Sequence, residues 1–341
     1  MTVMTFSFAN QSRRAALLAA TGVCVALAAP AFAQDLRPIT FGTNWLAQAE
    51  HGGFYQSVAD GTYAEECGLD VTIVTGGPQV NNTALLLAGR IDFYMGDHLG
   101  AIFAIEEDLP LVNVASSFQK DPQVLMTHPG RVADFASMSE LTMIVQDNAT
   151  YYEWMKAAYE FNDQQRETYT FNSAPFIVNE DAAQQGYLSS EPFSIERETG
   201  WAPDVYLIAD AGYTAYSTTI QTLASTIDED PELVQCFVDA SIKGWYNYLY
   251  NDNAAADEMI KADNPEMTQE AIDYAIEVML AQGIVDSGDA LELGIGAMTD
   301  ERMQDFYNKM VEAGVVTAGL DISPSYTLDF VNNGVGMDLK P

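Results

Sequence analysis

A chain of 341 residues with 49 acidic and 14 basic side chains, formal charge −35, repels nucleic acid and anionic membrane, so neither is expected as a partner. Its length suits two domains, and an apolar share of 48% is enough to build real cores. The acid excess reads as the surface of a very soluble or salt-tolerant exported protein in preference to an acidic binding face.

In chain order, Arg13-Arg14 precede an apolar run over 15–29, and Ala31-Phe32-Ala33 is an A-x-A cleavage pattern ahead of Gln34. A basic start, a short apolar stretch and a small-residue site spell a secretory signal over 1–33. The run is too short for a comfortable membrane span, and the paired arginines leave a twin-arginine route open beside the general one. The mature form then carries −37 and is expected in the periplasm. Cys24 leaves with the signal. Cys67 and Cys236 remain in a compartment that permits a disulfide, and the sequence leaves their pairing open.

The stretch 39–63 reads as a strand (Ile39–Gly42), an aromatic turn (Thr43-Asn44-Trp45) and a helix opening near His51-Gly52-Gly53. Strands at 69–74, 91–95 and 111–115 follow, separated by helices over 80–88 and from 98 to about 107. A second set starts near Gln123: strands at 124–127, 141–145, 169–171 and 205–209, helices at 132–138 and 151–159, and a short helix at 181–184. A strand at 216–220 then leads into helices over 231–251, 254–263, 269–282 and 299–312. Alternating strands and helices predict α/β architecture with parallel sheets flanked by helices. The helical return fits a discontinuous first lobe, 34–118 plus 216–341, with lobe 2, 119–215, inserted. The crossings lie near Phe118 and Tyr213, and a ligand cleft lies between the lobes.

Three motifs then carry a resemblance: Gly53-Phe54-Tyr55 with Gly61-Thr62-Tyr63 and Gly68-Leu69-Asp70-Val71; Leu87-Ala88-Gly89-Arg90-Ile91-Asp92-Phe93; and Gly186-Tyr187-Leu188 before Glu191-Pro192. The chain resembles the periplasmic binding proteins of thiamine-pyrimidine, sulfonate, taurine and nitrate importers over essentially its whole mature length. Glu50-His51-Gly52-Gly53 in the opening turn is most similar to the thiamine-precursor branch. The resemblance implies the two-lobed type II periplasmic binding fold and a solute receptor delivering its ligand to an ABC permease in the inner membrane, as a monomer. The yeast-type pyrimidine synthases share this fold but carry a cysteine-rich run near the second crossing. Here Ala215-Tyr216-Ser217-Thr218-Thr219 holds no cysteine, which counts against that enzyme.

Trp45 offers a flat stacking face, or core packing under its loop. His51 is a hydrogen-bond donor to a ligand or a backbone-satisfied histidine, and Tyr55, one turn on, shares its helix face. Asp97, after the third strand, accepts from an exocyclic amine or caps a helix. Phe118 at the first crossing is a second stacking surface or hinge packing. Thr150 and Tyr151 open a helix whose N-terminus favours anions. Glu191, read as a loop acid, is costly to bury unless the ligand supplies donors or a cation. These eight residues imply a small aromatic or heterocyclic amine, with an alkyl sulfonate or nitrate-like anion as the alternative. No nucleophile elbow, P-loop, Rossmann fingerprint or metal spacing appears, so no catalytic residue, metal or cofactor is expected.

Overall fold

The computed structural model describes residues 1–5, 36–77, 79–147 and 149–341. All but the first five residues of the expected secretory signal, and Asn148 before the second-half helix, lie outside the described residues. Leu36–Pro341 form one compact unit. Its strands are β1 (Arg37–Gly42), β2 (Leu69–Val74), β3 (Phe93–Gly96), β4 (Leu111–Phe118), β5 (Gln123–Thr127), β6 (Thr142–Val145), β7 (Arg166–Thr168), β8 (Ala182–Tyr187), β9 (Asp204–Leu207) and β10 (Ser217–Leu223). They build two five-stranded sheets, β2-β1-β3-β10-β4 and β7-β6-β8-β5-β9, flanked by helices.

The sheets are mixed where wholly parallel ones were expected. β1 runs parallel to β2 and β3, and β6 parallel to β7 and β8. β10 is antiparallel to β3 and β4, and β5 to β8 and β9. The crossings explain this. β10 re-enters the first sheet beside the end of β4, with Ser217 opposite Phe118. β5 starts beside the end of β9, with Val124 opposite Leu207. A strand that enters where its neighbour leaves must run against it.

Three local readings change. The residues expected as a helix over 181–184 belong to β8, the central strand of the second sheet. The segment 132–138 holds a 3-10 turn, Ala136–Glu140, instead of a helix. The strand expected over 169–171 ends earlier, as β7 stops at Thr168.

The opening helix Gly52–Ala59 lies on the long helix Pro231–Tyr250, and this crossing assigns the two glycines. A Cβ on Gly52 would stand 2.0 Å from the Tyr248 ring, and one on Gly53 2.3 Å from the Trp245 ring. From the facing helix, a Cβ on Gly244 would stand 2.1 Å from the Gly53 carbonyl oxygen. The Gly-Gly pair is therefore a packing device. Around it Phe41, Phe54, Phe93 and Phe237 are fully buried, with the Phe93 and Phe237 rings stacked at 4.2 Å. Each such side chain contributes roughly 1.5–3 kcal/mol. Cys67 and Cys236 form a disulfide between the helix Thr62–Cys67 and the long helix.

Arg302, in the helix Asp300–Glu312, ties the crossings together. Its guanidinium donates to the carbonyls of Gln119, Thr214 (3.1 Å) and Ala215 (3.4 Å), and lies 4.0 Å over the Tyr216 ring. Among the described residues no helix is long and apolar enough to cross a membrane.

Gly244→Ala should lower the unfolding free energy by about 1–3 kcal/mol, because its methyl must push the two helices apart. Urea denaturation of the variant beside wild type measures this.

Candidate ligand-binding site

β1 ends at Gly42, and the chain turns through Thr43–Gln48 before the 3-10 turn Ala49–His51. The Thr43 hydroxyl donates to the Trp45 carbonyl (2.8 Å) and accepts from the Gly76 N–H (3.2 Å), pinning this loop to the one after β2. Trp45 is thereby held half-buried, its indole facing Phe171 of the second sheet's loops at 5.0 Å and 34°. Phe171 is 48% exposed and has φ of +60°, a left-handed conformation that costs a bulky residue on the order of 1 kcal/mol. Tyr169 stands 5.4 Å behind it.

Beneath these rings lies a cavity of about 150 Å³, walled by loops from both sheets. That is room for about one small ring. Its charged groups are two carboxylates, Glu50 and Glu191, and no lysine, arginine or histidine among the described residues lines it. Glu191 is the first residue of the helix Glu191–Thr199, not a loop acid as expected. It accepts from the Tyr187 N–H (2.8 Å) and the Tyr169 hydroxyl (3.3 Å). Burial pushes its pKa up against these bonds. Glu50 is 2% exposed and accepts from the Ser189 hydroxyl. Burial pushes its pKa up to about 7, with Glu191 adding to the rise.

The donors facing these acids are side-chain amides with assigned orientations. The carbonyl oxygen of Gln185 accepts from the Gln146 backbone N–H (2.6 Å) and the Tyr151 hydroxyl (2.8 Å). A backbone N–H can only donate, so the Gln185 oxygen faces it and the amino group is left for the cavity. Asn44 is set likewise. The Gln48 N–H donates to His51 Nδ1 (3.3 Å), which places the ring proton on Nε2, and this donates to the Asn44 carbonyl (3.0 Å). His51 is fully buried, and burial lowers its pKa to about 3, so it is neutral.

The structure therefore divides the eight expected residues. Trp45 and Glu191 line the cavity. His51 and Tyr151 stand behind it and orient amides that do. Tyr55 is buried and donates to Asp263 (2.7 Å), on the far side of its helix. Phe118 is core, edge-on to Trp245 at 5.4 Å. Asp97 caps the helix His98–Glu106 by accepting from the Gly100 N–H (2.8 Å). Thr150 opens the helix Thr150–Tyr159 and does not line the cavity. Sequence reasoning missed Glu50, Gln185 and Phe171 as site residues. Glu50 had a signal, since an acid beside His-Gly-Gly after a strand sits at a ligand-binding edge.

The chain matches the NMT1/THI5-like family over residues 48–256. It belongs to that family. The family-level resemblance seen in the motifs therefore holds. A riboflavin-binding protein of Chloroflexus aurantiacus, RibY, is 22% identical over 328 residues, spanning 90% of this chain and 89% of that protein. The alkanesulfonate-binding protein SsuA of Xanthomonas axonopodis pv. citri, bound to MOPS, superposes with a TM-score of 0.62 at 10% identity, covering 86% of this chain and 99% of that one. A putative sulfonate-binding SsuA of Methylobacillus flagellatus KT gives 0.60 at 13% identity, covering 87% and 93%. These structures support the two-sheet periplasmic binding fold for this NMT1/THI5-like chain.

Glu50 has a consequence for ligand-free stability. Its folded pKa, about 7, lies above the ordinary glutamate value of 4.5. The stability tied to its proton is complete below pH 4.5 and is lost as pH rises through 7, by roughly 3 kcal/mol. Glu50→Gln should therefore melt higher than wild type at pH 8 and close to it at pH 4.5. Thermal melts of both proteins across that range check the sign.

Proposed function

We propose that the chain is the solute receptor of an ABC importer, exported to the periplasm. Its ligand would be a small flat heterocycle with amine or ring N–H donors, of the thiamine-precursor pyrimidine kind. The observation carrying this is the charge of the cavity: a buried carboxylate and a half-buried one, an aromatic wall and, among the described residues, no basic side chain. An exocyclic amine offers Glu50 and Glu191 the donors that their burial calls for. A ring nitrogen accepts from the amides of Asn44 and Gln185, and Trp45 with Phe171 covers the ring face. An alkyl sulfonate or nitrate would meet the same amides but also two acids, which argues against the anion alternative.

In this reading lobe 1 is 34–118 plus 216–341 and lobe 2 is 119–215. The lobes close by a hinge at the crossings, and the closed form docks on a permease as a monomer. Binding involves no chemistry, so the ligand leaves unchanged.

Titration calorimetry with 4-amino-5-hydroxymethyl-2-methylpyrimidine and with an alkanesulfonate tests the ligand class. The pyrimidine should bind and the sulfonate should not. Trp45→Ala should weaken the pyrimidine about tenfold or more through the lost stacking face, and Glu191→Gln should weaken it through the lost carboxylate acceptor. Tight sulfonate binding without a pyrimidine signal would overturn the proposal.

Phe171→Gly separates strain from function. Relief of the left-handed φ should hold stability level or raise it by up to about 1 kcal/mol, while pyrimidine affinity falls. Urea melts and calorimetry on the same variant read both effects.

A further inference from the structure

The cleft does not end at Glu50. On its far side a second cavity, of about 260 Å³, shares Gln48, Glu50 and Ser190 with the first. Its walls come from the 3-10 turn Ala49–His51, the helix Glu191–Thr199 and the helix Gln269–Ala281. Two small buried side chains, Ala49 and Ala275, are part of its lining. At the partition a side-chain hydrogen bond joins the two walls, from Ser189 to Glu50.

We propose that this cavity is a second subsite of the same site, taking an uncharged, hydroxylated chain carried by the ring bound in the first cavity. The inference rests on the ring-receptor reading and extends it to the length and chemistry of the ligand. The lining supplies small hydroxyls: Ser189 and Ser194, which donate to Glu50 and to the Ser190 carbonyl (3.3 Å), keep lone pairs to accept from an alcohol, and Ser190 and Thr268 can donate to one. Its one basic group, Arg197, is already engaged by Glu270, while Glu50 and Glu266 contribute negative charge. A neutral polyol therefore fits and a phosphate does not. At the partition the Ser189–Glu50 bond can be exchanged for one to the chain's first hydroxyl, so passage of the chain leaves Glu50 with a donor.

The test uses three ligands with one ring: 4-amino-5-hydroxymethyl-2-methylpyrimidine, the same ring with a tetrahydroxypentyl chain at position 5, and that chain ended by a phosphate. Calorimetry is run on wild type and on Ser194→Phe, an exposed position whose new ring occupies the second cavity. The long-chain compound should bind at least about tenfold tighter than the short one, consistent with one or two added hydrogen bonds. Ser194→Phe should erase that gain and leave the short compound unchanged, and the phosphate should lose the gain in wild type. Equal affinity of long and short compounds, or a gain that survives Ser194→Phe, overturns the second subsite while the ring reading stands. A phosphate-ended compound that binds tightest overturns the neutral chemistry assigned to it. Failure of all three to bind overturns the ring reading and the subsite with it.

Discussion

The guanidinium of Arg302 holds both crossings between the two sheets. Where the chain leaves one sheet for the other it loses ladder hydrogen bonds, and the freed carbonyls still need donors. Arginine carries five donors in one rigid fork, so a single side chain can serve Gln119 on the outgoing crossing and Thr214 and Ala215 on the returning one. The Tyr216 ring below and Asp289 at 3.7 Å balance its charge. Both crossings are thus held from one point, between the two sheets whose loops wall the cavity.

What this geometry brings together is costly in an empty cleft. Two carboxylates share one desolvated space, one of them with its pKa up to about 7, and an exposed Phe171 is held at a strained φ. The surroundings are rigid by contrast: Gln185 and Asn44 have their amide orientations set by partners that can only donate, and Glu191 is held by two donors. The polar groups around the cavity are thus already aimed, which is what pre-organised binding requires.

Much of the frame was legible in the sequence, because β-branched runs ending in glycine turns locate strands whatever they pack against. β1, β2 and the helices after Pro231 fall where their patterns placed them. β8 did not, since Ala182-Ala183-Gln184-Gln185 has the composition of a helix, and only its place between β6 and β5 makes it a strand. That misreading hid Gln185, whose side chain reaches the cavity from β8. Trp45 and Glu191 were legible because each stands beside a strand end that faces the cavity, whereas Asp97, in a similar place, is used as a helix cap. His51 and Tyr151 were picked for chemistry they exert through a neighbouring amide. Tyr55 was assigned by helical spacing, but the tight glycine crossing turns its hydroxyl toward Asp263. Phe171 was invisible, for its role depends on a backbone conformation that its residue type disfavours.

The disulfide between Cys67 and Cys236 spans 169 positions of sequence, and the whole segment from β5 to β9 lies between its ends. In covalent terms the second sheet is a loop on a closed ring. A protease that cuts once anywhere in that segment produces two fragments that still travel as one molecule until a reductant is added. The half carrying Glu50 and the half carrying the long helix stay tethered through the cut. The first sheet thus keeps its covalent connection after a single cut in the second sheet's segment.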